Sequence, residues 1–130
     1  MQTANGAGKN GLLYCPVRAT IGLLEHKWTL AIILELLTGK KRFNELAAAV
    51  GGVNSRTLRL RLRALEERGL VRRRVISQMP PWVEYELTGK GRSLTVVVKS
   101  IAAWGRRWMN HHTVGRVHER PLLRVGADRR

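Results

Sequence analysis

The sequence is poor in cysteine, in acidic residues and in long apolar runs. Cys15 is the single cysteine among 130 residues, which excludes an internal disulfide framework and favours a reducing compartment. The longest apolar runs, 30–34 and 94–98, fall far short of the roughly 20 residues that span a membrane. Residues 1–10 are polar and glycine-rich, without the basic-then-apolar pattern of a signal peptide. These absences predict a cytoplasmic protein without a membrane segment.

The shortage of acids leaves a large positive charge on the chain. There are 24 Lys and Arg against 9 Asp and Glu, so the formal net charge is +15. The length suits one domain, and a hydrophobic content of 44% is enough to form its core. Such a surplus on one small domain indicates a polyanionic partner, most often nucleic acid. Compositional drift toward arginine is the alternative, although drift explains a net surplus poorly.

The apolar spacing predicts a run of helices, then two strands, then a long helix. Asn54 suits an N-cap and Gly69 suits the left-handed position after a helix. The predicted helices are 16–24, 27–37, 43–50 and 55–68, the strands are 70–77 and 82–87 around a proline-containing loop, and the last helix runs from a Thr88 cap to Met109. The domain is expected to cover 15–112, between a flexible leader at 1–14 and a basic tail at 113–130.

This order of elements is that of a winged helix-turn-helix. A short turn at 51–53 joins the third and fourth helices, and the two strands after the fourth helix form the wing. The expected fold class is therefore mainly α with a small β-hairpin. Duplex DNA is the expected partner, because a helix fits the major groove, where base edges can be told apart.

The fourth helix carries the candidate DNA-binding side chains. They are short polar residues near its start and arginines along its length: Asn54, Ser55, Arg56, Thr57, Arg59, Arg61 and Arg63. No acid interrupts 54–63, whereas solvated helix faces usually mix charges of both signs. A plain solvated face on a core helix is the alternative. At 100° per residue, Arg56, Arg59 and Arg63 point mostly away from the apolar side of the helix.

The first strand of the wing adds three consecutive arginines. Alternation puts Arg72 and Arg74 on one face of the strand and Arg73 on the other. At least one of them is expected to meet the DNA backbone or minor groove. An ordinary charged edge strand, which discourages edge-to-edge pairing, is an equal alternative for any single one of them.

Six segments in order resemble HxlR-type winged-helix transcriptional regulators, which are relatives of the MarR group. The segments are 15–17, 26–28, 42–46, 58–66, 69–71 and 81–91. The resemblance implies dimeric bacterial regulators that bind operator DNA, with recognition helix 54–68 and a wing at 72–84, and that dimerise through the first and last helices. The chain departs from the usual pattern at Glu25-His26, at Val53-Asn54 and at Thr57, which affects operator sequence rather than fold.

The last helix predicts a homodimer, because its apolar stripe exceeds what one small domain needs to bury. The stripe consists of Leu94, Val97, Val98, Ile101, Trp104 and Trp108. Two recognition helices would then enter successive major grooves about 34–36 Å apart, so the operator is expected to be an inverted repeat. Cys15 lies at the start of the first helix, where some members of the resembled family have a thiol sensor. An inert cysteine is the alternative.

The sequence gives no indication of catalysis, metal or cofactor. His111, His112 and His118 fit no metal-ligand spacing, and no catalytic triad, phosphate loop or paired carboxylates are recognisable. The leading prediction is a sequence-specific dimeric transcriptional regulator, with an oxidant or a small molecule as an unidentified effector. A non-specific nucleic-acid-binding protein, architectural or RNA-binding, is the alternative that charge alone supports equally.

Overall fold

Six helices and a small antiparallel sheet make up the part of the chain that the computed structural model describes, residues 15–109. The elements are α1 Pro16–Leu24, α2 Thr29–Leu36, β1 Lys41–Arg42, α3 Phe43–Val50, α4 Ser55–Glu67, β2 Val71–Gln78, β3 Pro81–Leu87, α5 Gly89–Arg92 and α6 Thr95–Trp108. The predicted fold class is confirmed. The predicted leader at 1–14, the tail at 113–130 and the three histidines at 111, 112 and 118 lie outside the described residues.

The helix-turn-helix consists of α3 and α4. Gly51 and Gly52 turn the chain with φ of 73° and 86°, which only glycine adopts without strain. A Cβ on Gly52 would lie 3.4 Å from the indole of Trp28, so the turn packs closely on the start of α2. Gly69, with φ of 76°, ends α4 at the predicted position, and the N–H of Leu70 closes the last turn on the carbonyl of Leu65 at 2.9 Å.

The core lies between α2, α3, α4 and the sheet. Its buried apolar residues are Ile32, Ile33, Leu36, Leu46, Val50, Leu58, Leu62, Leu65, Leu70, Val71, Tyr85 and Leu87. Helix α2 is central, as its apolar circumference predicts. In contrast, neither α1 nor α6 has a buried residue.

The sheet differs from the predicted hairpin by one strand. Its order is β1-β3-β2, and the unpredicted β1 pairs with β3 through Lys41↔Tyr85 and Arg42↔Glu84. Two residues are too few to show the alternation that identifies a strand. The wing turn is also tighter than predicted, because the pair Gln78↔Pro81 continues the ladder up to it. Proline is tolerated there since it is the first residue of its strand.

Two helix boundaries also differ from the prediction. Helix α2 begins at Thr29 because Trp28 is in the left-handed region with φ of 80°. The predicted single last helix is broken at 93–94, so that Thr88 caps only the short α5. Ser93 Oγ donates to the carbonyl of Lys90 at 2.6 Å, and Thr95 Oγ1 donates to that of Arg92 at 2.7 Å. Such local side-chain bonds compete with continued helix geometry.

Candidate nucleic-acid interface

Helix α4 begins with a side-chain cap on an exposed turn. Asn54 Oδ1 accepts a hydrogen bond from the backbone N–H of Thr57 at 2.8 Å, which confirms the predicted N-cap. Ser55 is exposed at the first helical position, and the first turn contains no acid. The remaining N–H groups and the positive end of the helix dipole therefore favour an anion at this end of α4.

The exposed face of α4 carries arginines whose donors are unused. Leu58, Leu62 and Leu65 are buried on the opposite side, at 2% exposure or less. Within residues 15–109, the side chains of Arg56 and Arg63 make no hydrogen bond or ion pair, and both are exposed. A guanidinium carries five N–H donors in a planar fork, so each of these arginines can bind a carbonyl, a ring nitrogen or a phosphate.

Arg59 shares this side of α4 but has a partner on α3. Its guanidinium carbon lies 4.8 Å from the centroid of the Phe43 ring. The contact joins the two helices of the helix-turn-helix through their side chains. No feature of the sequence near either residue predicts it, because it depends on the packing of α3 against α4.

The side chain of Arg61 points from α4 toward the turn between α1 and α2. Its Nε donates to the carbonyl oxygen of Lys27 at 2.8 Å, in the turn between α1 and α2. Residues two apart on a helix differ by about 200° in direction, so Arg61 lies away from Arg59 and Arg63. The structure thus places Arg61 apart from the other predicted DNA-binding arginines of α4, on the flank that faces α1. Thr57, which was also predicted to bind DNA, is half-buried.

On the wing, alternation divides the three arginines as predicted. Arg72 and Arg74 lie on one face of β2, and both bind the carboxylate of Glu86, at 2.9 and 3.4 Å. Desolvation works to raise the pKa of the Glu86 carboxyl, but the hydrogen bonds and charges of the two arginines outweigh it and hold that pKa below its ordinary value. Arg73 lies opposite Tyr85 and is exposed, with no side-chain partner among the described residues.

The β3 strand of the wing takes part in a polar cluster that the sequence did not predict. The Arg42 guanidinium carbon lies 4.6 Å from the centroid of the Trp82 ring, and the indole N–H donates to Glu84 Oε2 at 3.0 Å. Glu84 also pairs with Lys40 at 3.3 Å. These residues come together only because β1 pairs with β3. The cluster fixes the wing to the residues that begin α3.

Comparisons with known proteins show the family of the chain. A family model described as an HxlR-like helix-turn-helix matches residues 23–113, which include everything from α2 to α6. The chain belongs to this family. The predicted resemblance is therefore confirmed, and the chain is a transcriptional regulator of the helix-turn-helix type.

Relatives of this HxlR-like chain are regulators of the same kind. The HTH-type transcriptional regulator sll1512 of Synechocystis is 36% identical over 99 residues, which cover 76% of this chain and 73% of that protein. The solved structure of a MarR-family transcriptional regulator of Enterococcus faecalis is 37% identical, with a TM-score of 0.65 over 70% of this chain and 83% of that one. The oxidized form of the redox regulator HypR is 40% identical, with a TM-score of 0.67 over 74% and 99%.

The first and last helices of this HxlR-like domain present apolar side chains to solvent. On α1, Val17 and Ile21 are 65% and 53% exposed. On α6, Ile101, Trp104 and Trp108 of the predicted stripe are between 50% and 62% exposed. The other three stripe residues are less accessible: Val97 and Val98 are half-buried, and Leu94 packs against the core.

Cys15, the single cysteine of the chain, lies at the start of α1. Cys15 is the N-cap residue of α1, is partly exposed and makes no side-chain cap bond.

Within 15–109, no group of three or more His, Cys, Asp or Glu is arranged to hold a metal. Over the same residues, none of the helices combines the length and the apolarity that crossing a membrane requires.

Proposed function

We propose that the chain is a homodimeric cytoplasmic regulator that binds an inverted-repeat DNA operator with sequence preference. The observation that carries this proposal is the exposed face of α4, where two arginines have unused donors beside a helix N-terminus that favours anions. In this proposal α4 enters the major groove, and Arg56, Arg59 and Arg63 reach base edges. An arginine that bridges O6 and N7 of guanine discriminates against other bases by about 1–3 kcal/mol.

The start of α4 and its flank have supporting roles in this proposal. Asn54 and Ser55 present hydrogen-bonding groups and backbone N–H groups to phosphate at the end of the helix. Thr57 and Arg61 lie on the flank, and contacts from there are expected to reach the DNA backbone rather than base edges. The bond of Arg61 to the carbonyl of Lys27 also fixes the orientation of α4 relative to α1.

The wing is proposed to contact the DNA backbone or minor groove. Arg72 and Arg74 have side chains that are 53% exposed, and their pairs with Glu86 lie at the surface. Surface ion pairs contribute only about 0–1 kcal/mol, so a phosphate can replace the carboxylate as partner. Arg73 needs no such exchange, because its guanidinium is unpaired within the described residues.

Dimerisation is proposed to cover α1 and α6. Their apolar side chains are exposed in the single chain, and neither helix buries a residue in the core. Large exposed apolar patches of this kind mark interaction surfaces in soluble proteins. A second copy that packs with two-fold symmetry would cover both helices and relate two α4 helices by the two-fold axis.

Selection of bound fragments from random DNA tests the proposal. The enriched sequence should be an inverted repeat with half-sites about one helical turn apart. Arg56→Ala should then weaken operator binding by about 1–3 kcal/mol and relax the preference at one base pair in each half-site. Lys99→Ala removes the same charge from α6 and serves as the control. If Arg56→Ala weakens operator and scrambled DNA equally, non-specific binding is the better description.

We propose in addition that Cys15 makes DNA binding sensitive to thiol-reactive compounds. Its thiol is partly exposed at the start of α1, a proposed dimer helix, and the structurally similar HypR is a redox regulator. Oxidant treatment should weaken operator binding by the wild type but not by Cys15→Ser. A wild-type protein that keeps full affinity while mass spectrometry shows Cys15 modified would refute this proposal, and a Cys15 that stays unmodified would be inert.

A further inference from the structure

We infer that Phe43 is a positioning residue for DNA readout, whose ring holds the guanidinium of Arg59 in place for a base contact. This inference rests on the proposed function, because it assigns a role in sequence preference to a side chain outside the recognition helix. The observation behind it is the 4.8 Å contact between the Arg59 guanidinium carbon and the Phe43 ring centroid.

The ring is the partner that orients Arg59. Arg59 is exposed, and its side chain makes no hydrogen bond or ion pair with any residue of 15–109. The contact with the ring involves no oxygen or nitrogen acceptor, so it satisfies none of the five guanidinium N–H donors through an ordinary hydrogen bond. Arg72 differs in this respect, since one of its donors is already bonded to Glu86. Arg59 is therefore held without losing its capacity for a bidentate contact to guanine.

The ring itself is firmly placed. Phe43 is the first residue of α3, is half-buried and packs against the core. The backbone N–H of the preceding residue, Arg42, donates to Glu45 Oε1 at 2.8 Å, which fixes the start of α3. The guanidinium of Arg42 contacts Trp82 on the wing. An arginine ordered before binding loses less side-chain entropy on binding. By ordering Arg59, the Phe43 ring therefore favours the specific complex.

The test uses full-length variants with the ring removed. Phe43→Leu should weaken operator binding about two- to fivefold, the range that corresponds to an exposed cation–π contact, and should leave scrambled-DNA affinity within twofold. Phe43→Met keeps more side-chain bulk and should show the same loss, which guards against a folding defect in the leucine variant. Phe43→Tyr keeps the aromatic face and should bind the operator within twofold of the wild type.

A double-mutant cycle decides whether Phe43 acts through Arg59. In an Arg59→Ala background, Phe43→Leu should cause no further loss of operator affinity. An equal loss in both backgrounds would overturn the inference and assign Phe43 a purely structural role in α3. Equal losses on operator and scrambled DNA would overturn it as well. A wild-type protein without any preferred sequence would instead refute the proposed function, and this inference with it.

Discussion

The N-cap of α4 is tested by two substitutions of Asn54. Asn54→Ala should lower the free energy of unfolding, whereas Asn54→Asp should keep or raise it and should in addition lower the affinity for DNA. Asn54→Ala removes the acceptor of the 2.8 Å bond from the Thr57 N–H and leaves that donor without its partner. Loss of such a cap costs about 1 kcal/mol, within a range of about 0.5–2. For a domain of this size each kcal/mol lowers the Tm by roughly 4–8 °C.

Asn54→Asp keeps the acceptor and adds a negative charge. A carboxylate at a helix N-terminus interacts favourably with the dipole by about 0.3–1 kcal/mol, so the free energy of unfolding should equal or exceed that of the wild type. The same carboxylate would face phosphate in the proposed complex. DNA affinity should therefore fall for Asn54→Asp, most strongly at low salt.

Urea denaturation measures the first effect, and fluorescence anisotropy with labelled operator DNA measures the second. Asn44→Ala is the matched control for stability, because Asn44 is an exposed asparagine within α3 whose side chain has no partner among the described residues; its change should stay within about 0.5 kcal/mol. If Asn54→Asp destabilises as much as Asn54→Ala, the cap argument is wrong. If it binds DNA as tightly as the wild type, the start of α4 does not face the DNA.

Four other expected outcomes test the core, the wing and the dimer. Leu62→Ala, at a site 1% exposed, should lower the free energy of unfolding by about 2–5 kcal/mol in urea titrations. Arg72→Ala removes one proposed wing contact to phosphate and should flatten the slope of log affinity against log salt by about 0.9; an unchanged slope counts against that contact. Because the folded pKa of Glu86 lies below its ordinary value, its ion pairs add stability above the pKa of the unfolded state, and this advantage over Glu86→Gln should vanish as pH falls through the folded pKa. Trp104→Glu should sediment as a monomer at micromolar concentration and Lys99→Glu as a dimer; a wild-type monomer would refute the proposed interface.

The helix-turn-helix could be predicted from the sequence because its signals are local. Asn54 and Gly69 mark the ends of α4 by their own hydrogen-bonding capacity and backbone freedom. Leu58, Leu62 and Leu65 recur at helical spacing, so the buried side of the recognition helix and the opposite exposed side follow from the sequence. The family followed from segments of this kind in the right order.

Other features depend on residues that are distant in the chain and were decided only by the tertiary structure. Helical spacing already separates Arg61 from Arg59 and Arg63, but its partner, the Lys27 carbonyl 34 positions away, depends on how the turn between α1 and α2 packs beside α4. The two-residue β1 becomes a strand because β3 offers it a partner. The contact of Phe43 with Arg59 likewise requires α3 to pack against α4. A side chain's partner depends on three-dimensional packing, whereas periodicity and capping describe only what is near in sequence.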